Sequence, residues 1–346
     1  MKIQYKPELI YFKRPFKIAH GMRTSTPIVL LQLHYNGLIG YGEASLPPYL
    51  IETQESVQAF FEKAKPLLES IAYLDDTDLL IEQVNAMQSA NTAAKAAIDM
   101  ALHDLYGKIT NQPCWKMFNC KKEDAPYTTY TLGIDTKDII ELKINEGKDF
   151  NYFKVKLNGE QDEELITTIR NKTDKPLAID VNQGWKDKCQ ALKKIEWLST
   201  QNVLFIEQPL AKEKLDDAFW LYERSPLPIV ADEAMQQLHD LEKIKQCFHG
   251  INIKLMKCGG LNEAKKIITV ARKHNLKIVL GCMTETSCAI SAAAQLSPLV
   301  DYADLDSPLL ISNDFFQGIQ FLNGKIELND LFGIGLLEKS REVIEK

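Results

Sequence analysis

Six short apolar runs in this chain close on charged residues. They are YFKVKL with Lys154 and Lys156, LAIDVN with Asp180, VLFIEQP with Glu207, PIVADE with Asp232, INIKLM with Lys254, and YADLDSP with Asp304 and Asp306. Such runs belong in a core, where unpaired charge is costly. From Lys156 to Lys254 the gaps are 24, 27, 25 and 22 residues, the length of one strand, one helix and two loops. Charged strand ends in phase with a structural repeat imply one shared polar site. Three carboxylates brought together repel, at about 4 kcal/mol per pair for ~4 Å and an effective dielectric near 20. A divalent cation relieves this. An all-oxygen set without His or Cys selects a hard ion, Mg²⁺ first and Mn²⁺ second, one per subunit.

Lys154 and Lys156 are two apart and share one side of a strand. Lys156 precedes the carboxylate set and Lys254 follows it, so around a barrel mouth they face each other across the metal. A cation and a second ammonium nearby disfavour a charged lysine and draw its pKa from ~10.4 toward ~7–8, where it can act as a base. Two opposed bases and a metal able to hold an enolate describe proton abstraction α to a carboxylate with return on the other face. That chemistry is racemisation or epimerisation. Solitary Asp187 and Asp240 read instead as helix caps or loop residues.

The elements that must position these groups follow from periodicity. Residues 1–46 read as strands, with Ile28–Tyr35 and Leu38–Glu43 flanking an Asn36-Gly37 hairpin turn. Residues 53–110 read as helices, including the Ala-rich stretch Asn91–Lys108 with Gly107 as a helix end. Strands then helices indicate an α+β unit over 1–125. Over 126–307, apolar runs alternate with amphipathic stretches. Strands are expected near Thr128–Leu132, Tyr152–Leu157, Leu177–Val181, Val203–Ile206, Ile229–Ala231, Ile251–Leu255, Lys277–Leu280 and Tyr302–Leu305. Helices fall between them at Glu163–Asn171, Cys189–Thr200, Leu238–Phe248 and Asn262–His274. Eight such units curl into an α/β (β/α) barrel. An open doubly wound sheet would carry a Gly-rich loop after its first strand, where this chain has GIDTKD. The tail, 308–346, has no barrel unit left to form and is expected to pack back on the first unit.

Composition bounds the partners. The chain has 346 residues, 45% apolar and 25% charged, with a net charge of −6 and no long basic block. Nucleic acid and anionic membrane are thereby disfavoured. Seven scattered cysteines without a CxxC pair are expected to be reduced, buried small hydrophobes in a cytoplasmic protein. The N-terminus lacks an apolar signal core. A homo-oligomer is left open.

The KxK pair, the Asp/Glu/Asp set and the later lysine in IKLMKCGG resemble the enolase superfamily, in its muconate-lactonizing subgroup. The resemblance implies a modified (β/α)7β barrel under an α+β capping domain built from the N-terminal region and the tail. It implies that Asp180, Glu207 and Asp232 hold Mg²⁺, that Lys156 and Lys254 are the acid/base pair, and that Lys154 meets the substrate carboxylate. A Lys base beside Mg²⁺ is established chemistry of this superfamily. Asn182 and Glu233 are implied as supports beside the metal ligands.

Asp304-x-Asp306 is similar to the pair that receives the substrate ammonium in dipeptide epimerases, and two carboxylates at strand spacing suit a cation. The implied activity is inversion of the C-terminal α-carbon of Ala-Xaa dipeptides, Ala-Ala or Ala-Glu, derived from cell wall. The rivals are o-succinylbenzoate synthase, N-succinylamino acid racemase, muconate cycloisomerase and a non-catalytic metal-binding relative. Thr131, Cys282, Met283 and Thr284 are further expected contacts; core packing is the competing reading for the last three. Side-chain choice falls to the loops Ile18–Thr26 and Ser45–Tyr49. Arg23, in AHGMRT, is either a contact for a glutamate side chain or a solvated loop residue, in a loop two residues longer than the shorter Ala-Glu pattern. Pro47, Pro48 and Tyr49 add apolar surface suited to a small or hydrophobic second residue.

Overall fold

The computed structural model describes residues 1–18 and 21–339. Strands β1 (Lys2–Ile18), β2 (Gly21–Tyr35) and β3 (Leu38–Ser45) form an antiparallel sheet. Asn36 and Gly37 both take left-handed φ, 49° and 80°, as a tight two-residue hairpin requires. Segment 18–26 is not a free loop. Its described part is the far end of the β1–β2 hairpin, with Ile18 opposite Gly21 and Phe16 opposite Arg23. Ala19 and His20 lie outside the described residues.

Helices α1 (Gln54–Ser70) and α3 (Thr92–Ile109) pack on this sheet, with α2 (Thr77–Ala86) against α3, followed by the short α4 (Cys114–Met117). Thr53 starts α1 with a reciprocal capping box to Ser56. The Ala-rich α3 is buried on nearly every side because small side chains let backbones close on it. A Cβ on Gly42 of β3 would stand 1.9 Å from Ala97 O. Gly107 does not end α3, which runs on to Ile109. The glycine is needed because a Cβ there would meet the Gly333 Cα at 2.5 Å.

The barrel strands are β4 (Tyr130–Leu132), β5 (Phe153–Lys156), β6 (Leu177–Asp180), β7 (Val203–Glu207), β8 (Ile229–Ala231), β9 (Gly250–Ile253), β10 (Lys277–Gly281) and β11 (Tyr302–Asp304), hydrogen-bonded in that order. A parallel bridge from Thr128 to Ala303, with Thr129 N–H donating to Ala303 O at 3.1 Å, joins the two edges. Between the strands run α5 (Lys137–Glu146), α6 (Asp162–Arg170), α7 (Lys188–Ser199), α8 (Leu215–Tyr222), α9 (Leu241–Ile244), α10 (Leu255–Cys258), α11 (Leu261–Lys273) and α12 (Ser287–Ala294), with α13 (Ser307–Leu310) after β11. The expected helix over Leu238–Phe248 is only a 3-10 turn and the four-residue α9. Asp187 caps α7, accepting from Gln190 N–H, and Asp240 accepts from Gln236 and Gln237 N–H.

Strand alternation sorts the barrel into layers. Tyr152, Ala178, Phe205, Val230 and Val279 form a small apolar cluster of their own, apart from the large cluster holding Phe153, Val155, Ile179 and Ile206. Two residues further along the same faces come Lys154, Asp180, Glu207, Asp232 and Gly281. The period of two that buries the apolar layer inside the barrel therefore aims the charged strand ends inward above it.

Two buried carboxylates of the N-terminal unit fasten it to barrel helices. Asp99 accepts from Leu261 and Asn262 N–H at the start of α11, and Glu43 accepts from Thr286 N–H at the start of α12. Each satisfies otherwise orphaned helix donors. The tail divides. An antiparallel pair of β12 (Phe316–Gln317) with β15 (Leu337–Glu338) lies by Tyr41, while the hairpin of β13 (Gln320–Leu322) and β14 (Lys325–Glu327) meets the N-terminal end of the barrel, where Thr128 N–H donates to Gly324 O at 2.7 Å. All seven cysteines are free, but Cys189 is exposed and Cys120 and Cys282 are partly so, against the expectation of uniform burial. Among the described residues no helix is long and apolar enough to cross a membrane.

Candidate active site

Parallel register sets the cage. Lys156, Asp180 and Glu207 are level on β5, β6 and β7, and Asp232 follows the end of β8. Ligand atoms of Asp180, Glu207 and Asp232 lie within 4.8 Å of one another, all three buried. Lysines supply the counter-charge. Lys154 Nζ is 3.0 Å from Asp180, 3.0 Å from Glu207 Oε2 and 2.7 Å from Asp304. Lys156 Nζ is 2.6 Å from Asp180 Oδ2, and Lys254 Nζ is 2.7 Å from Asp232 Oδ2. The two candidate bases thus pair with different carboxylates of the cage.

Charge and burial pull these groups apart. Burial disfavours the Asp180 and Asp232 carboxylates, yet Lys154 and Lys156 at the first, and Lys254 and Lys257 at the second, outweigh it and hold both below the usual range. Glu207 is pushed up to about 8, by burial first and the Asp180 charge second. At Lys254 burial lowers the pKa, but the cage carboxylates, Asp232 foremost, outweigh it and by themselves hold the ammonium well above the ordinary lysine value; a cation sharing those carboxylates acts in the opposite direction.

The cage fits a hard cation on its own chemistry. It offers three buried oxygen donors and no His or Cys. Beside it the buried Asn182 Oδ1 and Glu233 Oε2 have no hydrogen-bond partner among the described residues. Asn182 N–H donates to Asp180 Oδ1 at 2.9 Å, and its amide reaches Glu233 Oε1 at 3.4 Å. Both residues therefore stand beside the cage as expected.

Above the cage opens a cavity of about 460 Å³. Its walls include Arg23, Thr131, Lys156, Asn182, Asp232, Glu233, Lys254, Cys282, Met283, Thr284, Asp304 and Asp306. Lys154, Asp180 and Glu207 lie beneath the floor. Lys154, whose expected role is electrostatic partner of the substrate carboxylate, is buried and pairs with Asp180, Glu207 and Asp304. Asp304 accepts from Lys154 and from Thr129 Oγ1 at 2.7 Å, while Asp306 accepts from Thr131 N–H at 2.6 Å. Arg23 is not a solvated loop residue. It is half-buried, burial lowers its pKa, and its Nη1 is enclosed without a partner among the described residues. Tyr49 does not simply add apolar surface. Its ring lies by the Arg23 guanidinium and its hydroxyl meets Met283 Sδ.

Four contributors escaped the sequence reading. Buried Lys257 donates to Asp232 Oδ1 and to the Asp232 and Asn252 carbonyls, because α10 turns it back toward the cage. Asn252 donates to Glu207 Oε1 at 2.9 Å, and its place two before Lys254 was the available signal. Gln208, at a left-handed φ of 37°, accepts from Asp232 and Ala234 N–H and so fixes the loop carrying Asp232. Thr129 holds Asp304.

Comparison with known proteins agrees with this geometry. Residues 5–118 match the mandelate racemase / muconate lactonizing enzyme N-terminal domain, and residues 135–339 match the enolase C-terminal domain-like family. The L-Ala-D/L-Glu epimerase of Bacteroides thetaiotaomicron is 49% identical over 339 residues, covering 98% of this chain and 88% of that protein. A dipeptide epimerase from Enterococcus faecalis, solved with Mg and L-Leu-L-Tyr, superposes with a TM-score of 0.90 at 28% identity, over 97% of this chain and 98% of the other. A substrate-liganded L-Ala-D/L-Glu epimerase from Bacillus subtilis gives a TM-score of 0.91 at 26% identity, over 98% and 99%.

Proposed function

The chain belongs to the mandelate racemase / muconate lactonizing enzyme family of the enolase superfamily, and from that premise we propose that it is a Mg²⁺-dependent dipeptide epimerase acting on L-Ala-D/L-Glu. The observation that carries this reading is one cavity holding three complementary features. These are Lys156 and Lys254 on its wall, the carboxylates Asp304 and Asp306, and Arg23, whose Nη1 has no partner among the described residues.

Asp180, Glu207 and Asp232 hold the ion, which when bound supplies the positive charge that makes a proton α to a carboxylate acidic. Lys156 and Lys254 each carry that proton on one face of the α-carbon. Asp306, with Asp304 behind it, receives the dipeptide ammonium. Arg23 faces the second side chain and favours a carboxylate there. Thr131, Cys282, Met283 and Thr284 shape the remaining wall. Lys154 balances the charge of Glu207 and Asp304 from below. In this reading residues 1–125 and 308–346 form the cap, and 126–307 the catalytic barrel.

The test is incubation with Mg²⁺ and a dipeptide panel in D₂O, following mass and chirality. Deuterium at the C-terminal α-carbon with inversion, fastest on L-Ala-L-Glu or L-Ala-D-Glu, is expected. Exchange on no dipeptide, with turnover of a succinylated amino acid or a cyclohexadiene carboxylate, overturns the reading.

A further inference from the structure

Among the described residues the half-buried Arg23 has two aromatic rings beside its guanidinium and no carboxylate paired with it. Its Cζ lies 5.8 Å from the centroid of Phe12 and 5.8 Å from that of Tyr49. A neighbouring carboxylate would occupy the planar N–H fork. Aromatic faces attract the cation and leave the fork free to donate.

The rings arrive from separate segments, Phe12 anchored to the tail through Ile311 and Tyr49 to the barrel through Met283. Phe12 stands in an irregular stretch of β1, where five steps from Tyr11 to Phe16 are matched by two on β2, from Ser25 to Arg23. That excess bulges the strand beside Arg23. Phe12 is fixed there by a bridge to Ile311 and by stacking on Phe16 at 5.3 Å. Tyr49 comes from the loop after β3, a loop so open that Ile51 is 93% exposed. Its hydroxyl contact with Met283 Sδ, 2.6 Å, ties the loop to the segment after β10.

We propose that Phe12 and Tyr49 are positioning residues that hold the Arg23 guanidinium with its donors free, and so set the preference for a dipeptide whose second side chain ends in a carboxylate. The inference rests on the reading of Arg23 as the acid contact and adds what orients it. Tyr49 acts through its ring on Arg23 and through its hydroxyl on Met283, so the two functions separate by substitution.

The experiment measures KM and kcat of the Mg²⁺-loaded enzyme for L-Ala-L-Glu and L-Ala-L-Ala. In Tyr49→Leu the ratio of the two KM values shifts against L-Ala-L-Glu by about fivefold or more. Tyr49→Phe, which keeps the ring, restores most of that ratio. In an Arg23→Met background, Tyr49→Leu changes the ratio no further, because nothing remains to be oriented. Equal changes for both dipeptides in Tyr49→Leu, or an undiminished effect in the Arg23→Met background, overturn the positioning role. If Arg23→Met shifts the ratio and Tyr49→Leu does not, the positioning role alone fails. If Arg23→Met leaves the ratio unchanged, the acid contact itself fails and the inference goes with it.

Discussion

Lys154 Nζ lies 2.7 Å from Asp304 Oδ2, and this contact ties the carboxylate cage to the acidic pair that ends the last barrel strand. The pair is consequently unequal. Burial disfavours the Asp304 carboxylate, but Lys154 and Lys156 outweigh it and hold it below the usual range. Among the described residues no lysine pairs with Asp306; burial and then the Asp304 charge push it up to about 7. A cation entering the cavity therefore gains most at Asp306, whose charge is least compensated.

Lys154→Met tests the shared counter-ion. The substitution keeps length and removes a charge that three buried carboxylates face. Breaking a buried pair from one side costs roughly 3–5 kcal/mol. Urea unfolding in EDTA is expected to show a loss of that size, and Asp304→Asn in the same chain recovers part of it. A loss no larger than that of an exposed lysine would remove Lys154 from the charge balance.

Lys156→Ala and Lys254→Ala are each expected to lower epimerisation by at least about three orders of magnitude. One-sided exchange is the sharper readout. With one lysine left, the α-proton of only one epimer exchanges in D₂O without inversion, and the two variants exchange opposite epimers. Mass spectrometry with chiral separation reads this directly. Near-normal inversion in either variant would remove the two-base assignment.

The charged strand ends were legible because alternation has a period of two and the repeat has a fixed length. Those two facts alone place Asp180, Glu207 and Lys254 on one rim. What escaped the sequence depends on depth and on contacts between distant segments. Lys154 and Lys156 share a strand face, yet one step of the pleat separates a residue under the floor from one on the wall. Lys257 enters only because a single helical turn reverses the chain after Lys254. Gly107 reads as a helix end until the Gly333 backbone is seen against it. Arg23 sits where no local pattern predicts a strand, since the hairpin end is held by its partner strand and by Ile311.

Gly281→Ala tests support of the cage from outside its ligands. An added Cβ would stand 2.4 Å from Asn252 Oδ1, and Asn252, fully buried, has nowhere to retreat. It would be driven off Glu207 Oε1, which it now holds at 2.9 Å. Loss of such a support weakens metal binding by roughly 10–100-fold. In the parent chain, Mg²⁺ at a hundred times its Kd stabilises by about 2.7 kcal/mol over EDTA. The variant is expected to need correspondingly more Mg²⁺ for the same rise in Tm. An unchanged Mg²⁺ titration would show that Asn252 does not orient Glu207.

Glu43 gives the fold a predictable response to pH. It lies fully buried on β3 between the N-terminal sheet and the start of α12, accepting from Thr286 N–H at 3.0 Å and pairing with the Thr286 hydroxyl. Burial is the main force that pushes its carboxyl up to about 8; the Thr286 hydrogen bonds oppose it, and Glu285 and Asp314 add to the rise. The ordinary value is 4.5, so between 4.5 and about 8 the native state keeps a proton that the unfolded chain has lost. Stability falls as pH rises whenever the native state binds more protons, so Glu43 erodes stability across that window. Glu43→Gln copies the neutral acid and does not titrate. Relative to the parent, the variant is expected to become progressively more stable from about pH 5 to about pH 8 in urea unfolding. If the parent instead gained on the variant over that range, Glu43 would be charged in the native state, and the contact between the sheet and α12 would be an ionic one.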